Sequence, residues 1–314
     1  MFDGLVILIS MEKYLNVVEG NILKFAPLSC IYSKLRPDPF LQFSLAVGIN
    51  IFVVSLILLY LFLKKRHINS MEDSMSEKMI QISRLKKSCY RNIFLFLLLS
   101  YPVTSKKIID ILPLPGVCVN VCFSKSDCVS LLRADYSIHC FTPRHKIFWK
   151  IAAVFAFYPF AFPLMLLLPI YKYRQAETER EIAFGLRVFF ENYKEKYWFW
   201  ETLEMYRKLL LISLILLFGS ESHSQIGFTL VITSASGIAY TLFRPIKGKF
   251  EDRLQTFVLW ITFFNVCLGS LYGQSDGRKK HVEHDSIFIN ALFLLLNSSV
   301  LIVAAGEFCL SETP

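Results

Sequence analysis

The sequence predicts an all-α bundle of transmembrane helices that crosses a bilayer about seven times, and three observations carry that expectation. Of 314 residues, 54% are hydrophobic and only 19% charged, whereas a water-soluble domain is usually about a quarter charged. The mean hydropathy is +0.47. Several apolar runs approach or reach the ~20 residues that a helix needs to cross ~30 Å of hydrocarbon. Unpaired backbone groups are too costly in lipid for an open sheet, and the short alternating segments of an outer-membrane barrel are not seen.

The expected spans are 41–63, 92–112, 147–171, 200–219, 224–243, 253–273 and 286–308. They divide the chain into an extracytoplasmic or membrane-adjacent segment (1–40), a helical membrane domain (41–308) and a short cytoplasmic tail (309–314). The first span, LQFSLAVGINIFVVSLILLYLFL, is almost uninterrupted. It is expected to act as its own insertion signal, because the preceding MFDGLVILISMEKYL has no basic lead. The second is the weakest: it is strongly apolar only from Ile93 to Leu99, then meets Pro102, Lys106 and Lys107, so it needs neighbouring helices or outward-reaching lysines. Pro159, Pro163 and Pro169 each remove a backbone donor from the third span, which is therefore expected to bend. Bent helices line transport sites, although prolines also serve packing alone.

In the fourth span, about 11 residues at ~1.5 Å each follow Lys208, so a full crossing draws Arg207 and Lys208 below the boundary. Helical spacing places Glu201, Glu204 and Lys208 on one face, with Arg207 one turn from Glu204. Charges at such depth point to a gating or ion-interaction site. The competing reading is an interfacial anchor, with Trp198 and Trp200 among the headgroups and the cations reaching outward. The fifth span carries a small patch, Thr233 to Gly237, suited to close helix packing. Asn265, Asn290, Asn297 and Glu307 place intramembrane polar groups in the last two spans, where hydrogen bonds across the bundle are expected.

Orientation follows from the basic residues, because cytoplasmic loops retain them. Lys64, Lys65, Arg66, Lys78, Arg84, Lys86, Lys87 and Arg91 put one loop inside; the loop 172–196 and the turn Arg244, Lys247, Lys249 and Arg253 fall on the same side. The amino terminus is then outside and the carboxyl terminus cytoplasmic, with Arg278, Lys279 and Lys280 running against the scheme. The net charge of +9 borders apolar segments and forms no continuous polar face, so anionic cytoplasmic headgroups are the expected partner and nucleic acid is not. Cys118, Cys122, Cys128 and Cys140 lie in the outer loop and Cys30 precedes the first span, so disulfides are expected, with Cys140 bridged to Cys118 or Cys30. Free thiols, or zinc held by Cys118, Cys122, Cys128 and His139, are the alternatives. No phosphate loop, nucleophile elbow or metalloprotease motif is present, so neither enzyme activity nor a cofactor or metal is expected.

The strings FAPLSCIY (25–32), LRADYSIHCFTPRHKIF (132–148), FYPFAFPL (157–164), FFENYKEKYWFWETLEMYRKLLL (189–211) and FRPIKGKFEDRLQ (243–255) carry a resemblance that spans most of the chain. They resemble the TRP-like C-terminal membrane domain of large multi-pass proteins of protists and algae. The sequence departs from that pattern at Ala161, where a glycine is expected between the prolines, and has no cysteine-rich repeats ahead of the spans. The resemblance implies a multi-pass, TRP-like ion channel or transport subunit of a eukaryotic plasma membrane or endomembrane. One copy offers few pore-lining charges, so conduction calls for a homo-oligomer or a groove shared with lipid. The alternatives are a non-conducting membrane scaffold and a scramblase-like lipid transporter.

Overall fold

The computed structural model describes residues 38–71, 74–112, 114, 116–124, 127–174, 181–217, 223–275 and 282–311. In chain order the main elements are α1 (Pro39–Ser70), α2 (Met75–Ile109), β1 (Cys118–Ser124), β2 (Asp127–Leu132), β3 (Asp135–His139), α3 (Pro143–Phe155), α4 (Phe157–Arg174), α5 (Glu181–Leu186), α6 (Trp200–Leu217), α7 (His223–Phe243), α8 (Lys249–Ser275) and α9 (Val282–Ser311). Helices dominate. Two compact units divide them: α1 to α6 with the three strands belong to one, and α7 to α9 to the other.

Among the described residues, five segments are long and apolar enough to cross a membrane: α1, α2, the α3–α4 pair, Ser224–Phe243 of α7 and Ile289–Gly306 of α9. Helices also occupy the other two expected spans, α6 and α8. Charge marks the start of both: Glu201, Glu204, Arg207 and Lys208 fall in the first half of α6, and Lys249, Glu251, Asp252 and Arg253 open α8.

Both leading helices outrun a bilayer. At ~1.5 Å per residue the 32 residues of α1 extend about 48 Å, so its end, with Lys64, Lys65 and Arg66, passes beyond the hydrocarbon. A Ser74–Glu77 capping box then starts α2 almost at once; each side chain satisfies a backbone donor of the other's residue. The basic segment expected as a loop between the first two spans is therefore mostly helix.

At the other end, β1, β2 and β3 form an antiparallel sheet between α2 and α3, within the connection expected as the disulfide-bearing outer loop. Cys118–Cys140 and Cys122–Cys128 are its two disulfides. The first ties the start of β1 to the residues leading into α3. Phe40, Phe43, Ile108, Ile111, Val117, Leu132 and Ala152 join Cys140 in one buried cluster, which seats the sheet on the first three helices. Asp38, the cap of α1, accepts from the Phe40 N–H and pairs with Arg144 at 2.6 Å, while Arg144 lies over the Phe40 ring. The start of α1, the end of α2 and the start of α3 thus meet at one end, as alternating crossings require.

Prolines shape the third span. Pro159 has no N–H to return to Phe155, and the helix breaks at Ala156, between α3 and α4. Pro163 in turn leaves the Pro159 carbonyl without its i+4 donor, and the buried Tyr101 hydroxyl donates to that oxygen at 2.7 Å. The Tyr158 hydroxyl donates to the Leu97 carbonyl of α2 at 2.9 Å, and the Tyr206 hydroxyl to the Phe160 carbonyl at 2.8 Å. The carbonyl freed by Pro163 is thus satisfied by a tyrosine of α2, as hydrocarbon demands, and the other two hydroxyls find backbone acceptors on facing helices.

In the second unit, the small patch of α7 receives an aromatic ring: a Cβ on Gly237 would lie 3.2 Å from Trp260 of α8. Asn265 of α8 and Asn297 of α9 exchange amide hydrogen bonds at 3.1 and 3.4 Å. Asn290 is exposed on α9. The side chain of Glu307 and the whole of Cys30 lie outside the described residues.

Candidate functional site

The charged base of α6 is enclosed by protein. Glu201 and Glu204 are 8% and 6% exposed, and Trp200, the first residue of α6, is buried as well. The Tyr193 hydroxyl donates to Glu201 Oε2 at 2.6 Å. Glu204 Oε2 accepts from both Nε and Nη2 of Arg207, at 3.0 and 2.7 Å. Lys208 is half-buried beyond them. A buried carboxylate is tolerable here because phenol and guanidinium donors meet it within the fold. Trp198 is half-buried against Tyr171, ring centroids 5.6 Å apart.

The segment before α6 explains this enclosure. Within the loop 172–196, α5 packs on the first half of α2: Lys86 pairs with Glu181 at 3.2 Å, and beyond α5 Arg91 pairs with Glu191 at 3.3 Å. Gly185 makes the approach so close that a Cβ there would sit 2.8 Å from Tyr90 Cβ and 2.9 Å from the Tyr90 backbone. The two basic segments assigned to one side of the membrane thus touch.

Glu181 provides a pH test of that contact. Its own backbone N–H, and then Lys86 and Lys87, hold its carboxyl below the ordinary value of 4.5, against the upward push of burial. A depressed folded-state value means the contribution is complete above pH 4.5 and is lost as pH falls through the lower, folded-state value. The pair is partly exposed, so the effect is under about 1 kcal/mol. Hydrogen exchange across 181–190 is expected to accelerate on acidification below that point in the wild type, and Glu181→Gln to remove the pH-dependent part.

A second polar cluster, not singled out in the sequence, sits deep in the same unit. Asn50, about 18 Å along α1 from its cap, donates to Thr104 Oγ1 at 2.8 Å and accepts from Ser100 Oγ at 2.6 Å. Asn50 and Thr104 border a cavity of about 360 Å³ lined mainly by apolar side chains, among them Val47, Val54, Leu97 and Ile108, and reaching Phe155 and Tyr158 at the α3–α4 break. The broken helix therefore opens the space, and the α1–α2 hydrogen bonds give it one polar wall. A lone asparagine in the middle of the first span was the available signal, since amides at that depth seek partners.

Zinc held by Cys118, Cys122, Cys128 and His139 is not the arrangement found, because all three cysteines are bridged, and His139 is exposed on β3. The imidazole that does lie beside a bridge is His145, which together with Cys118 and Cys140 has its ligand atoms within 4.8 Å of one another. No family model, curated protein or solved structure matches the chain.

Proposed function

We propose that the protein is a TRP-like channel or transport subunit of a eukaryotic plasma membrane or endomembrane, with its amino terminus outside and its carboxyl terminus cytoplasmic. The moving parts in this reading are the proline-broken α3–α4 helix and the charged base of α6, and α6 and α8 complete about seven crossings. The observation that carries it is the burial of Glu201 and Glu204 against protein donors at the membrane boundary, because ionisable groups enclosed in a membrane bundle mark ion pathways more often than they anchor helices. Conduction would use several copies. Purified protein in liposomes is expected to pass ions, and the combined Glu201→Gln, Glu204→Gln and Arg207→Gln replacement to reduce that flux at least about tenfold, a change of ~1.4 kcal/mol in the barrier. Unchanged flux in a folded triple variant removes these residues from the pathway. Liposomes that stay silent while a partner co-purifies would favour the scaffold.

A second reading, lipid movement, is favoured by the cavity at the α3–α4 break. Its volume and its mostly apolar lining with a few polar groups suit one chain of an amphiphile. A fluorescent-lipid scrambling assay on the same liposomes separates it from conduction.

A further inference from the structure

The geometry points to the Cys118–Cys140 bridge as a redox-labile disulfide that exchanges with an external dithiol, with His145 as the group that favours its opening.

His145 is 1% exposed. Its place is fixed by the start of α3: Thr142 caps the helix by accepting from the His145 N–H at 3.3 Å, and Pro143 occupies the first turn. The ring lies beside Phe40 and Phe141. Nδ1 accepts a hydrogen bond from the Phe141 N–H at 3.1 Å, so the neutral ring carries its proton on Nε2. That Nε2–H is buried with no hydrogen-bond partner, and one nitrogen of the ring lies within 4.8 Å of the two bridge sulfurs; with Nδ1 committed to the Phe141 N–H, Nε2 is the nitrogen that has a proton to offer a sulfur. A disulfide sulfur is a poor acceptor and a thiolate a strong one. The donor is thus unsatisfied while the bridge is closed and satisfied once it opens, which shifts the equilibrium toward the reduced form.

The sulfurs differ in access. Cys118 is half-buried and Cys140 is buried, so an incoming thiolate attacks Cys118 Sγ, the Sγ–Sγ bond breaks and Cys140 leaves as the thiolate, held by the imidazole N–H. The reagent's second thiol then attacks the mixed disulfide and releases Cys118. Two electrons pass from the dithiol, which ends as a disulfide; of its two thiol protons one ends on Cys118 and the other passes to solvent, so Cys140 remains the thiolate. Because Cys140 stands directly before α3 and Cys118 opens β1, reduction uncouples the sheet from the third span.

The test is a dithiothreitol titration of the full chain in detergent, quenched by alkylation and read cysteine by cysteine by mass spectrometry. Cys118–Cys140 is expected to need about tenfold or more dithiol in His145→Phe than in the wild type, the equivalent of one hydrogen bond to a charged group, and Cys122–Cys128 to open identically in both. His145→Gln, which keeps a donor, is expected to stay nearer the wild type. Equal dithiol requirement at Cys118–Cys140 in folded wild type and His145→Phe overturns the assignment. If His145→Phe does not fold, trapping in the wild type decides: a mixed disulfide on Cys118 with Cys140 alkylated supports it, and one on Cys140 with Cys118 alkylated overturns it.

Discussion

Glu204→Gln is expected to destabilise the protein in detergent by about 3–5 kcal/mol. The Arg207 fork places Nε and Nη2 on one oxygen of Glu204, with the two side chains only 16% and 8% exposed, so neutralising the carboxylate leaves the guanidinium enclosed without its matching charge. The cost arises from that charge and not from lost volume, since glutamine is nearly isosteric with glutamate. Replacing both partners at once, Glu204→Leu with Arg207→Met, is expected to recover most of the loss, because well-packed apolar side chains often replace a buried ion pair at little net cost. A thermal or denaturant unfolding series of the two single variants and the double variant reads the coupling directly. Additive losses would show that the two charges are stabilised by separate partners. Lysine at 207 is also expected to fail as a substitute, because one ammonium cannot reproduce the forked geometry.

The bundle was legible because composition and hydrophobic run length act locally: each apolar segment had to be a helix in lipid, whatever its neighbours. The charge pattern placed the segment with Lys86 and Arg91 and the loop 172–196 on one side, and the two meet through the Lys86–Glu181 and Arg91–Glu191 pairs. The inward turn of Glu201 and Glu204 was not. Helical spacing says which residues share a face, but only packing says whether that face looks toward lipid headgroups or toward Tyr193. The sheet was hidden too, because β1 to β3 are short and their alternation is diluted by turns and cysteines. Cys140 was expected to be bridged, to Cys118 or Cys30, and the bridge to Cys118 is present. His145 was missed since its partner is a backbone N–H four residues away, a contact created by the turn at Phe141, whose φ of 63° no sequence pattern announces.

Gly185→Val is expected to expel α5 from α2, whereas Gly48→Ala in α1 is expected to be neutral or slightly stabilising. The difference lies in what a new side chain meets. A Cβ at Gly48 finds nothing within 4 Å, but one at Gly185 falls within 3 Å of Tyr90 Cβ, the Tyr90 carbonyl carbon and Phe94 Cδ2. Two of those three atoms belong to or adjoin the backbone of a long helix, so relief must come from α5. Overpacking of this kind costs about 1–3 kcal/mol, and valine adds two methyl groups to the clash. The element has only six residues, too few to hold its fold without the partner face, so it is expected to leave as a unit and take the Lys86–Glu181 and Arg91–Glu191 pairs with it. Tyr193 and the enclosure of Glu201 lie downstream on the same segment. Hydrogen exchange is therefore expected to rise across 181–197 in Gly185→Val, with the exchange of α1 unchanged. In Gly48→Ala the relief of glycine's backbone entropy in a helix, about 0.5–1 kcal/mol, is expected to slow exchange locally in α1 and leave 181–197 as in the wild type. Unaltered protection of 181–197 in folded Gly185→Val would mean that α5 is not held to α2 by this contact, and the enclosure of the carboxylates at the base of α6 would need another cause.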